Sequence, residues 1–195
     1  LTDVTGVQTC ALPILSLALA MLILPGLTAL AQEVDKGKIP ADQLAASFKK
    51  LAWGSPVWDV EEAVDALKKG EGVVWIDTRP ESFFKKGTVQ GAQLLIYNKK
   101  GKDEENTLTP ESLEKVITEA GLTKDTATVV FFCQGPECHR SYNATHAAVT
   151  EWGYKPDNIV WFRAGYPLLF KEVKTNAKLK RKAKQYLCDE AVKQL

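Results

Sequence analysis

Thr128-Val129-Val130-Phe131-Phe132-Cys133-Gln134-Gly135-Pro136-Glu137-Cys138-His139-Arg140-Ser141 decides how this chain folds. Its first five residues are the most strongly apolar strand candidate beyond the N-terminal region. A short continuous apolar run of this kind fits a strand buried on both faces of a parallel sheet. A polar loop containing Gly135 and Pro136 follows, and then a helix over 140–152 with Gly153 beyond it. Free N–H groups at a helix start point toward the preceding loop, and together with the helix dipole they favour negative charge there. A thiol at that point ionises more readily than a free cysteine. Arg140, and His139 when protonated, would add to the effect. The stretch therefore predicts an anion cradle with the Cys133 thiolate at its floor. The plainer reading is an inert, buried cysteine ending a core strand. The polar loop and the helix start weigh against it.

The neighbouring segments extend the pattern. Asp59 with Glu62 three residues on makes a capping box. Val60, Ala63, Val64 and Leu67 give the apolar stripe of the helix it opens, and Gly70 closes that helix. Val73-Val74-Trp75-Ile76 is a second continuous run, ending in Asp77-Thr78-Arg79-Pro80, with a short helix over 81–86 after it. Leu94-Leu95-Ile96 is the next strand candidate, and Tyr97 opens a polar loop. Thr109-Pro110 starts a helix, with proline suited to the first helical position and Leu113, Val116, Ile117 and Ala120 on its inner face. A last strand spans 158–162, and Arg163-Ala164-Gly165-Tyr166-Pro167 is read as a turn. Strands and helices thus alternate from Asp59 to Phe170. That order predicts the α/β class, with an open, mostly parallel sheet and helices on both faces. Ligands bind such sheets beyond the carboxyl ends of the strands, where Cys133 stands. Upstream, Leu44, Ala45, Phe48, Leu51 and Ala52 share one helical face, which predicts an N-terminal helix ended by Gly54-Ser55-Pro56.

The whole sequence of 195 residues has a net charge of +1, which gives no field to recruit nucleic acid. The segment 171–195 is the local exception. It holds eight basic residues against Glu172, Asp189 and Glu190, a balance of +5. A solvated basic helical tail is the expected form, and an acidic surface or protein partner the alternative. At the other end, residues 1–14 read as the translation of a sequencing-library adapter, so Cys10 is expected to carry no role. Residues 15–31 read as a signal-peptide remnant. The apolar run 14–24 is short for a membrane span of about 20 residues, and Ala29-Leu30-Ala31 is a small-x-small cleavage pattern. A periplasmic or secreted mature chain is therefore expected, with an N-terminal extension over 32–57. It would keep Cys133, Cys138 and Cys188, too few for a disulfide scaffold and with one left over.

The segment 58–170 resembles a rhodanese-like domain. Val73 through Arg79 is similar to that family's first core strand and its Asp-x-Arg ending. Lys86-Gly87-Thr88-Val89-Gln90-Gly91-Ala92 is similar to its Gly-His-Ile-x-Gly-Ala stretch, with Thr88 in place of the usual His. Val129 through Cys133 resembles the strand that delivers the active cysteine, and Trp161 through Tyr166 the closing strand and glycine turn. The resemblance implies a sulfurtransferase. Cys133 would take sulfane sulfur from a small donor such as thiosulfate or a persulfide, carry it as a persulfide, and pass it to a thiol acceptor. Gln134, Gly135, Pro136, Glu137, Cys138, His139, Arg140 and Ser141 would form the active-site loop. Asp77 and Arg79 would support it without reacting. No cofactor and no metal are implied. Arg140 stands seven positions after Cys133, further along than in typical members. The longer loop resembles an exported branch with a second cysteine in this loop. It could widen the pocket, and Glu137 could repel an anionic donor.

Cys138 brings in a second chemistry. Two cysteines in one loop could close a disulfide, and Cys138 could resolve a persulfide or sulfenic acid on Cys133. A thiol–disulfide redox or sensing protein is thus the alternative function, and a non-catalytic rhodanese-like binding module a further one. Cys133, Cys138 and His139 also have the spacing of a long haem-attachment variant, but a core strand leading into Cys133 leaves haem little room. The ligand spacing does not suit the usual zinc knuckles. Cys188 is taken as an incidental thiol.

Overall fold

The computed structural model describes residues 39–98 and 106–188. The expectations for 1–38, for most of the polar loop after Asn98 and for 189–195, Cys10 and the signal segment included, lie outside the described residues. Among those described, no helix is long and apolar enough to cross a membrane.

Five parallel strands form one sheet: β1 (Val57–Trp58), β2 (Val73–Asp77), β3 (Gln93–Leu94), β4 (Thr128–Phe132) and β5 (Ile159–Phe162), in the order β1-β5-β4-β2-β3. β4 is central. It pairs with β2 from Val73↔Thr128 to Asp77↔Phe132, and with β5 from Val129↔Ile159 to Phe132↔Phe162. Successive side chains point to opposite faces, and the core divides accordingly. Val74, Ile76, Val129, Phe131 and Ile159 pack with α3 (Pro110–Glu119) and α4 (His139–Thr150). Trp75, Val130, Phe132, Val160 and Phe162 pack with α1 (Val60–Lys69), α5 (Gly165–Thr175) and α6 (Ala177–Ala183). Burial on both faces is why these strands read as unbroken apolar runs. The short α2 (Glu81–Phe84) follows β2. The Asp59–Glu62 capping box forms as the sequence predicts, as does the start of α3 at Thr109-Pro110.

Three local expectations are corrected. The N-terminal extension is not α-helical over 44–52. It has a 3-10 turn at Ala41–Leu44 and then turns, with an antiparallel bridge between Lys50 and Pro56. The buried Arg163 explains the difference. Its Nη1 donates to the carbonyls of Gln43 at 3.1 Å and Phe48 at 3.2 Å and also to that of Ala45, while Nε reaches Asp59 Oδ1 at 3.1 Å. Carbonyls drawn onto a guanidinium from several directions turn away from the axial alignment that the i+4 bonds of a helix need. Second, residues 163–167 do not form a simple turn: α5 already begins at Gly165 and carries the chain past 170. Third, the basic tail is not merely solvated. Leu179, Ala183 and Leu187 are buried in the same core as the sheet, and the tail pairs with the segment after α2. Gln90 N donates to Tyr186 O at 2.7 Å, and Cys188 N to Thr88 O at 2.9 Å.

Candidate functional site

Cys133 leaves the carboxyl end of β4 and turns into a tight loop. Within that loop Cys138 N donates to Gly135 O at 3.0 Å, and α4 begins at His139. Cys133 and Cys138 are joined by a disulfide, their Cα atoms 6.4 Å apart, inside the range such bonds span. The Cys133 residue is only 1 % exposed, whereas Cys138 is half-buried and Pro136 and Glu137 are exposed. The loop is pinned from the far side of the sheet. Tyr166 N donates to Cys133 O at 3.1 Å. Gly165 has φ +67°, and a Cβ there would stand 2.5 Å from Cys133 O and 2.7 Å from Gly135 N, so only glycine fits this approach.

The Ser141 hydroxyl reaches Cys133 Sγ at 3.3 Å and is itself held by Trp161 Nε1 at 3.2 Å. The turn consumes the Cys138 amide, and the bridge ties Sγ to Cys138, the residue that caps the start of α4. Arg140 and His139 reach the segment after β3. Arg140 Nη1 donates to Tyr97 O at 3.2 Å, and His139 Nε2 lies 3.2 Å from Asn98 Oδ1. They clasp the segment after β3. Gln134 lines a small cavity of about 220 Å³ with Arg79, Phe83, Lys86, Tyr166 and Phe170.

Asp77 and Arg79 form a sealed knot beside this cavity. Arg79 Nε donates to Asp77 Oδ1 at 2.8 Å and Nη2 to Oδ2 at 2.6 Å, with side chains 3 % and 0 % exposed. Nη2 also donates to Gly87 O at 2.7 Å. Thr88, standing where the family more often has His, donates its hydroxyl to Asp77 Oδ2 at 2.7 Å. The guanidinium lies over the Tyr166 ring, 4.9 Å from its centre. The carboxylate is thus fully engaged, which fits support and not reaction. On the neighbouring turn, Thr78 donates to Phe132 O through its amide at 3.0 Å and its hydroxyl at 2.9 Å, fixing the residue before Cys133.

A rhodanese-like domain model matches residues 59–170, more than half of the sequence. The chain belongs to the rhodanese-like family. Solved structures with a similar fold include a Bacillus halodurans protein, 22 % identical with a TM-score of 0.39 over 59 % of this chain and 71 % of that one. The rhodanese-like domain of an Anabaena protein is 18 % identical, with a TM-score of 0.37 over 59 % and 73 %. A Rhodopseudomonas palustris protein described as a possible tyrosine phosphatase is 20 % identical, with a TM-score of 0.38 over 64 % and 80 %. No curated protein matches the chain. The sequence singles out the Cys133 loop, Asp77 and Arg79, but not the contacts that Trp161, Tyr166 and Thr88 make with them. Tyr166 lies in the stretch read as the closing strand and glycine turn, and nothing local marks it as a clamp on Cys133.

Proposed function

We propose that this rhodanese-like protein handles sulfane sulfur on Cys133, with Cys138 as the resolving thiol. The observation that carries the reading is the Cys133–Cys138 bond at the carboxyl end of the central strand. A sulfur carrier alone needs one cysteine; a bonded pair in the same loop supplies a way to discharge it. In the bonded form Cys133 is capped and buried, so an external dithiol must first reduce the pair by exchange. The Cys133 thiolate then attacks the outer sulfur of a donor such as thiosulfate. A Cys133–sulfur bond forms, the donor's S–S bond breaks, and sulfite leaves. The product persulfide has two exits. A thiol acceptor can take the outer sulfur and regenerate the Cys133 thiol. Alternatively the Cys138 thiol attacks Cys133 Sγ, the disulfide re-forms, and hydrosulfide leaves with the Cys138 proton. In the second exit two thiol sulfurs are oxidised and the sulfane sulfur is reduced to sulfide, so electrons balance. Ser141 Oγ–H, aimed at Cys133 Sγ, supports negative charge on that atom.

A disulfide-bonded resting form suits an oxidising compartment, which supports the exported location read from the signal-like segment. The same bond favours a second reading, a thiol–disulfide redox protein that exchanges through the more exposed Cys138. A single-turnover experiment separates the two. Prereduced protein freed of reductant and mixed with thiosulfate should release about one equivalent of sulfite per chain. Absence of sulfite, and of sulfur uptake from inorganic polysulfide, with reversible dithiol oxidation intact, would favour the redox reading over transfer.

A further inference from the structure

A wide groove among the described residues lies away from Cys133. It is a groove of about 1140 Å³ between the segment after α2 and the tail, and Cys188 stands in its wall. Cationic side chains line it: Lys85, which pairs with Glu81, and Lys180, Arg181 and Lys184. No acidic side chain does so among the described residues. Cys188 is half-buried and carries a free thiol. Thr88 N donates to its sulfur at 2.9 Å.

A second group stands at the same sulfur. Tyr166 is 6 % exposed, and its hydroxyl is buried without a hydrogen-bond partner, the Cys188 sulfur being its polar neighbour. Burial first, and then that sulfur, push the phenol's ionisation upward, which keeps it a donor. Gly87 makes room for it: a Cβ there would lie 2.6 Å from the Tyr166 hydroxyl, at φ +149°. An amide and an unsatisfied phenol thus flank a thiol that opens on a basic groove. Thiol–disulfide exchange proceeds through a thiolate, and donors and cations are what that sulfur requires around it. The charge of the wall selects what can approach.

We propose that Cys188 is a covalent binding site for a small anionic disulfide, one whose halves carry carboxylates. Cys188 sulfur attacks one sulfur of the ligand. A Cys188–ligand S–S bond forms, the ligand's own S–S bond breaks, and the other half leaves as a thiol with the Cys188 proton. Cys188 is oxidised and the departing half reduced. This site does not rest on the sulfur-transfer reading of Cys133.

The test uses the full chain and two probes, glutathione disulfide as the anionic one and cystamine as the cationic one. Mixed-disulfide formation is timed on the Cys188 peptide by mass spectrometry, and each rate is divided by that of N-acetylcysteine with the same probe. At low salt the anionic probe should be favoured at Cys188 by roughly tenfold or more. High salt should erase most of that preference, and the triple variant Lys180→Glu, Arg181→Glu, Lys184→Glu should remove or reverse it. A normalised preference near unity or for cystamine would overturn the proposal, as would a preference untouched by salt in the unaltered chain. Because the readout is confined to the Cys188 peptide, failure here leaves the Cys133 reading standing.

Discussion

The two sulfur centres of this protein are built in opposite ways. Cys133 is 1 % exposed, bonded to Cys138, and touched by the hydroxyl of Ser141. Cys188 is free, half-buried, and faces a wide basic groove. One is closed until a bond in its own loop is broken; the other is open but charge-filtered. A single knot of side chains ties them together. Tyr166 holds the Cys133 carbonyl with its amide and places its phenol by Cys188. Thr88 holds the Cys188 sulfur with its amide and Asp77 with its hydroxyl. Arg79 closes the knot by bridging Asp77 and covering the Tyr166 ring. The contrast teaches that the same buried ion pair can support a gated sulfur on one side and an accessible one on the other.

The contrast can be broken or sharpened by substitution. Cys138→Ser should have the largest effect. It removes the gate, and a persulfide formed on Cys133 should outlive the wild-type one by roughly 100-fold or more, since an intramolecular attacker is lost. Sulfide release timed after a thiosulfate pulse checks this, and an unchanged lifetime would show that Cys138 does not resolve Cys133. Asp77→Ala comes next. It leaves the Arg79 charge buried and unpaired, which should lower unfolding free energy by about 3–5 kcal/mol in urea titrations and perturb alkylation at both sulfurs. A loss under about 1 kcal/mol would mean the knot is not the common support. Ser141→Ala should be the smallest. It removes one donor, worth about 1 kcal/mol, so sulfur uptake at Cys133 should slow by roughly fivefold to tenfold. Cys188 reactivity, followed in the same samples, should not change.

What the sequence made legible was local. The apolar runs of β2 and β4, the Asp59–Glu62 box and the Thr109-Pro110 helix start each signal within a few residues, and the parallel order follows from their alternation. The Cys133 loop and the Asp77–Arg79 pair were equally readable. Less legible were features whose partners lie far away in the chain. β1 has two residues and draws its pairing from β5. The 44–52 stripe carries a real helical period, but Arg163, 115 to 120 residues away from Phe48 and Gln43, captures the carbonyls. Arg140 and His139 looked like charges for the thiolate because they are near it in sequence, yet they reach Tyr97 and Asn98. The tail concealed Leu179, Ala183 and Leu187, spaced at four residues, behind its lysines. Cys188 looked incidental because Thr88, its hydrogen-bond donor, is 100 positions distant.

The central claim is best tested on the Cys133 peptide itself. Prereduced full-length protein is exposed to thiosulfate, trapped with an alkylating reagent at successive times, and mapped by mass spectrometry. An early species should carry one additional sulfur on Cys133, and it should decay into the Cys133–Cys138 disulfide as sulfide appears. Thiols that return to the disulfide without Cys133 ever gaining sulfur, from thiosulfate or from inorganic polysulfide, would contradict it.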